Sequence, residues 1–138
     1  MNRTDFQQLA ELRVREAEAL RAAGLHEGAY YLLGYAVECA LKACFCRRIL
    51  EHEFPDKRLV ERAYSHDLAK LLDVSGVEAE LDKAVGLNPA LGLKWRTANE
   101  WNEQSRYVGL LSASKVDELF EAVLHPTDGV LTWLKTQW

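Results

Sequence analysis

Apolar residues recur at helical spacing along most of the chain. Phe6, Ala10, Val14, Ala17 and Leu20 share the face of a first helix, with Thr4 and Gln7 as a capping-box pair and Gly24 as its stop. After a short break at Gly24 to Glu27, the run from Gly28 to Arg48 predicts the central helix. Leu33, Ala36, Val37, Ala40, Leu41 and Cys44 give it an apolar sector too wide for a surface helix. Phe54, Pro55 and Asp56 end that unit or open a loop. Ser65 then caps a short helix from His66 to Leu72, with Asp67 favourable in its first turn, and Ser75 with Glu78 repeats the pattern for a helix from Val77 to Val85.

Asn88 and Pro89 begin another helix as cap and first residue. Leu91, Trp95, Ala98 and Trp101 share its face, and Gly92 weakens it. The period is lost around Arg106 to Gly109. Ser112 or Ser114 restarts it for Val116, Leu119, Phe120, Val123 and Leu124, until Pro126 splits off Val130, Leu131 and Leu134. No alternating strand pattern, repeat or low-complexity tract interrupts this reading. The expectation is all-α: one domain over residues 1–138, an up-and-down bundle of about five helices.

Composition narrows the setting. At 138 residues and 49% apolar, the chain has enough material for one hydrophobic core. No stretch approaches the about 18 uncharged apolar residues of a membrane span, and the first residues lack the apolar block of a signal peptide, so a cytoplasmic protein without membrane contact is expected. Cys39, Cys44 and Cys46 crowd onto one helix, where side chains point apart, and read as small core residues.

A net charge of −4 argues against a general duplex-binding surface. Arg47, Arg48, Lys57, Arg58 and Arg62 form the one modest basic cluster, but Glu51, Glu53, Asp56 and Glu61 interleave with them, as in a solvated mixed-charge loop.

Candidate chemistry begins on the central helix. Tyr31, Tyr35, Glu38 and Lys42 are spaced four, three and four, and so line a polar stripe beside the apolar sector. Glu38 and Lys42, in the favourable i,i+4 order, satisfy each other at the bundle edge for ~0.3–0.5 kcal/mol, or else the stripe walls a cleft or a dimer seam.

The segment Leu25 to Phe45, with Ala36-Val37-Glu38 followed by Lys42, resembles helix 2 of HEPN domains (higher eukaryotes and prokaryotes nucleotide-binding). Ser65-His66-Asp67-Leu68 with Leu71 and Leu72 resembles the family's H-D-L-x-x-L opening of a short third helix. Arg106-Tyr107 resembles an R-Y pair ahead of the last long helix. The resemblance implies a helical bundle that homodimerises and binds a nucleotide or RNA. It also implies a setting beside a minimal nucleotidyltransferase partner, or in a toxin–antitoxin or defence system.

Many members of that family cleave RNA without metal through an R-x(4–6)-H motif, which supplies a base for the 2′-OH and a cation for the phosphate. Here Arg96 is followed at that spacing by Asn102, which hydrogen-bonds but accepts no proton. The spacing recurs at Arg21 to His26 and Arg47 to His52, but about one such pair is expected by chance, and both fall in other parts of the chain. His26 reads as an interhelical loop residue, His52 as a solvated helix end.

Four residues remain as candidate nucleotide or RNA contacts: His66, Arg96, Arg106 and Tyr107. His66 at a helix start either packs or meets a base edge. Arg106 and Tyr107 suit a phosphate contact and a stacking contact; alternatively Arg106 pairs with a carboxylate such as Glu103 and Tyr107 enters the core. No zinc spacing, phosphate-cradling glycine loop or nucleophile elbow is present, so neither metal nor cofactor is expected. Trp95, Trp101, Trp133 and Trp138 read as core or interface anchors, the last two against a partner. The expected function is therefore a non-catalytic nucleotide- or RNA-binding accessory; the alternatives are an endoribonuclease with a displaced site and a structural dimerisation module.

Overall fold

A computed structural model describes residues 1–49 and 52–138; Leu50 and Glu51 lie outside the described residues, and with Glu51 one member of the mixed-charge cluster. The all-α expectation holds. Among the described residues there are eight α-helices, one 3-10 turn and no strand.

Two long helices make the frame, α1 (Arg3–Ala22) and α2 (His26–Arg48). The capping box that starts α1 uses Asn2 and Asp5 instead of Thr4 and Gln7. Asp5 N donates to Asn2 Oδ1 at 3.0 Å, and Asn2 N to Asp5 Oδ2 at 2.8 Å. Gly24 closes the helix at φ +75°, a conformation glycine adopts without steric cost, and Leu25 N bonds back to Leu20 O. The chain then reverses, and α1 lies along α2. Buried Leu33, Ala36, Val37, Ala40, Leu41 and Cys44 make α2 the centre of the core, as its wide apolar sector predicts.

The basic cluster is not one loop. Its middle forms α3 (Lys57–Ala63), capped by Asp56, whose Oδ1 accepts from Leu59 N at 2.9 Å. Leu59, Val60 and Ala63 turn inward while the charges face solvent, an amphipathic pattern too short to stand out among so many ions. Arg47 and Arg48 are spent on structure: their Nη1 atoms donate to Gln137 O at 2.6 Å and Val74 O at 2.9 Å.

The next helix, α4 (Leu68–Ser75), starts two residues later than Ser65 predicts, because Asp67 outcompetes Ser65 as cap. Asp67 Oδ1 accepts from Lys70 N, and Ser65 Oγ accepts from Asp67 N, each at 3.0 Å. His66 thereby sits in the turn ahead of the helix. Then come α5 (Glu78–Leu87) and α6 (Pro89–Asn99), whose proline occupies the first turn as read. Gly92, expected to weaken α6, lets it approach α5: a Cβ there would stand 2.8 Å from Val85 Cγ1.

The lost period after Trp101 is the 3-10 turn Glu103–Tyr107. It leads to α7 (Ala113–Leu124), capped by Ser112, and to α8 (Val130–Leu134) beyond Pro126. No described helix is long and apolar enough to cross a membrane. Trp101 is a core residue, while Trp95, Trp133 and Trp138 are partly buried against the core.

Candidate functional site

The polar stripe of α2 meets two other elements on one face. Tyr31 and Tyr35, one turn apart, stack at 6.3 Å between centroids and 9° between planes. Arg13 of α1 lies over Tyr35 at 5.8 Å, and burial pushes the Tyr35 phenol above its ordinary pKa. On its other side Tyr31 stacks with Trp101, 6.1 Å away. The Trp101 indole seats over Gly34, where a Cβ would lie 2.3 Å from three ring atoms. Only glycine permits this contact, so the seat of Trp101 is built into α2. An isolated glycine inside a strong helix was the available signal for such an approach.

Two turns further along, Glu38 is 1% exposed. Its Oε1 accepts from Lys42 Nζ at 2.8 Å and faces His66 Nδ1 at 3.0 Å. The i,i+4 pair thus exists, but in the interior and with a third member, not at the bundle edge. A carboxylate this buried keeps its charge only when cations or donors surround it. Lys42 and His66 supply them on one oxygen, while Oε2 has no partner among the described residues. The outer edge of His66 is open: its side chain is 48% exposed, and Nε2 lies 3.7 Å from Glu103 Oε2.

Between the turn before α4 and the segment Asn99 to Gln104 runs a polar cleft of about 480 Å³. His66, Asp67 and Lys70 line one side; Trp101, Asn102 and Glu103 line the other. Asn102, at the place where the ribonuclease motif asks for histidine, caps the 3-10 turn by accepting from Gln104 N at 2.9 Å.

At the far end of that turn Arg106 and Tyr107 depart from the alternative of an ion pair with Glu103 and a core tyrosine. Arg106 forms no ion pair with Glu103, and Tyr107 is 71% exposed rather than in the core. The guanidinium lies 4.9 Å from the centroid of the Tyr107 ring. The nearby phenols of Tyr31, first, and then Tyr107 raise its pKa above the usual arginine value. No carboxylate of the described residues forms a salt bridge with Arg106. Arg96, the fourth candidate contact, is exposed in the last turn of α6 and does not line the cleft.

The structure therefore brings together Tyr31, Tyr35, Glu38, Lys42, His66, Arg106 and Tyr107, and adds Gly34, Trp101 and Glu103, which sequence reasoning did not assign to a site. Among the described residues no group of three or more His, Cys, Asp or Glu side chains is arranged to hold a metal ion. Burial pushes the Cys39 and Cys44 thiols up to about 12 and raises that of Cys46, so none is an activated nucleophile. Comparison of the chain with protein-family models, curated proteins and solved structures gave no match.

Proposed function

We propose that the protein is a non-catalytic, HEPN-like accessory protein that binds a nucleotide or RNA, with Arg106 as the phosphate contact. The observation that carries this reading is the company Arg106 keeps. It is an exposed guanidinium lying over the Tyr107 ring, with no carboxylate among the described residues to neutralise it, so its charge and N–H groups are available to an anion. Exposed Tyr107 beside it offers a stacking face.

The family resemblance adds support. The three stretches that carry it, Leu25 to Phe45, Ser65 to Leu72 and Arg106-Tyr107, converge on one face of α2. With the resemblance come a homodimer and a nucleotidyltransferase partner, or a toxin–antitoxin or defence setting. Tyr107, Val108 and Leu110, all exposed, supply an apolar surface for a protein contact.

The absence of catalysis rests on His66 and Asn102. A general base needs a free acceptor facing the scissile phosphodiester. His66 Nε2 instead faces the Glu103 carboxylate, which repels a phosphate, and Asn102 is committed to a cap.

The test is a titration of a fluorescent RNA oligonucleotide and of ATP into the protein, with a metal-free cleavage assay alongside. Binding without cleavage is expected, and Arg106→Ala should weaken it by about tenfold or more, the scale of one lost charge-assisted contact. Absence of binding by the wild-type protein refutes the proposal.

A further inference from the structure

The segment leading into α3 carries an aromatic side chain that its own chain leaves bare. Phe54 is 99% exposed, more than any other large apolar side chain among the described residues. The backbone on its C-terminal side is constrained twice. Pro55 confines the residue before it to extended conformations, and Asp56 is fixed as the cap of α3, its Oδ1 accepting from Leu59 N at 2.9 Å. Phe54 is therefore held out as a knob, three residues ahead of the first residue of α3.

The same helix borders a hole. Phe6 of α1, Phe45 and Cys46 of α2, and Val60 and Ala63 of α3 line an apolar cavity of about 310 Å³, with Tyr64, itself exposed, at its rim. A cavity of ~150 Å³ holds a benzene molecule, so this one admits a phenyl ring. Charge sets knob and hole apart. Glu53 and Asp56 flank Phe54. Lys42, paired inward with Glu38, stands in the cavity wall, and Arg3, in no salt bridge among the described residues, lies one turn from Phe6 on α1. A knob between carboxylates and a hole bordered by cations are complementary.

We infer that the occupant of this cavity is Phe54 of a second copy of the chain, inserted reciprocally, so that two copies close into a dimer across α3. A two-fold contact needs a self-complementary patch, in which each copy gives and receives the same group. Knob and hole meet that need because both belong to one short helix and its lead-in. A knob remote from its hole would instead chain copies into open filaments. The inference goes beyond the nucleotide-binding reading and stands or falls independently of it, since neither Phe54 nor the cavity lines the cleft beside His66.

Sedimentation equilibrium of the wild type and of Phe54→Asp measures the association, and a photo-cross-link locates it. The wild type should be a dimer. Phe54→Asp changes a fully exposed position, so its helix content by circular dichroism should match the wild type. Because each copy carries the change, both insertions are lost at once, and the dimer should weaken by about a hundredfold or more. With p-benzoylphenylalanine in place of Phe54, irradiation should join two chains, and mass spectrometry should find the link on peptides that hold Phe45 and Cys46 or Val60 and Ala63. A monomeric wild type overturns the inference and leaves the cavity to another ligand. A dimer that Phe54→Asp leaves intact overturns it in favour of a different face, and a cross-link confined to one chain means that Phe54 fills its own cavity.

Discussion

Gly34 and Trp101 are in direct contact: the indole lies flat against the backbone of α2, where even a methyl group would stand 2.3 Å from the ring. Trp101 is 2% exposed and also stacks on Tyr31, so moving it off α2 disturbs a second contact as well. Gly34→Ala gains helix propensity but overpacks this contact, and overpacking costs about 1–3 kcal/mol. A thermal melt should show a lower Tm than wild type. An unchanged or raised Tm would mean that Trp101 is not seated on α2.

Glu38 distinguishes a surface ion pair from an interior one. An exposed i,i+4 pair couples by ~0.3–0.5 kcal/mol, whereas truncating one partner of a buried pair costs about 3–5 kcal/mol. With Glu38 buried and shared by Lys42 and His66, a cycle of Glu38→Leu, Lys42→Met and the double variant should give a coupling above about 1 kcal/mol in chemical denaturation. Coupling at the surface value would return the pair to the bundle edge.

How much of this was legible in the sequence follows from distance along the chain. The frame of α1 and α2 was readable because long apolar periods outvote their ends; the expected start of α1 was off by two residues only because Asn2 and Asp5 do the work that Thr4 and Gln7 also could. The stripe from Tyr31 to Lys42 was readable for the same reason, as its spacing is local. The bond from Glu38 to His66 spans 28 residues, and no local pattern encodes it. An isolated glycine such as Gly34 marks a close approach, but no local pattern names Trp101, 67 residues away, as what approaches it. α3 was hidden because one inward face of three apolar residues carries less signal than the charges around it.

Burial gives a chemical prediction for the cysteines. Desolvation pushes Cys39 and Cys44 up to about 12, so at mildly alkaline pH they carry almost no thiolate, which is the reactive form. Ellman's reagent should leave both unmodified in the native protein, modify half-buried Cys46 slowly, and react with all three in denaturant. Rapid native labelling of Cys39 or Cys44 would show that the α2 core opens more readily than its packing implies.

Glu27 ties the segment after Arg106 to α2, its Oε1 accepting from Leu111 N at 3.0 Å. That backbone bond is the foremost reason its pKa lies below the ordinary 4.5. A depressed folded-state pKa contributes stability that is present above the unfolded value and is lost as pH falls through the folded one. Glu27→Gln should therefore be less stable than wild type at neutral pH, and the gap should close as pH falls below 4.5 and through the lowered folded-state pKa. The Leu111 amide should exchange faster in the variant. A stability difference that persists undiminished into acid would assign the effect to packing rather than to the charge.

His125 stabilises the turn beyond Pro126 as an acceptor. Its Nδ1 receives Asp128 N at 3.0 Å and Thr127 N at 3.2 Å, and its own carbonyl receives Gly129 N and Thr132 Oγ1. An Nδ1 that accepts from two backbone amides is unprotonated, so the ring proton resides on Nε2, as it does in the neutral tautomer. Asparagine can put a carbonyl oxygen near the same point, whereas alanine leaves both donors without their side-chain partner. Loss of a side-chain cap costs about 1 kcal/mol, so His125→Ala should fall below wild type by that order while His125→Asn retains most of the stability. Equal losses in the two variants would show that the imidazole acts through its packing beside α7, not through its lone pair.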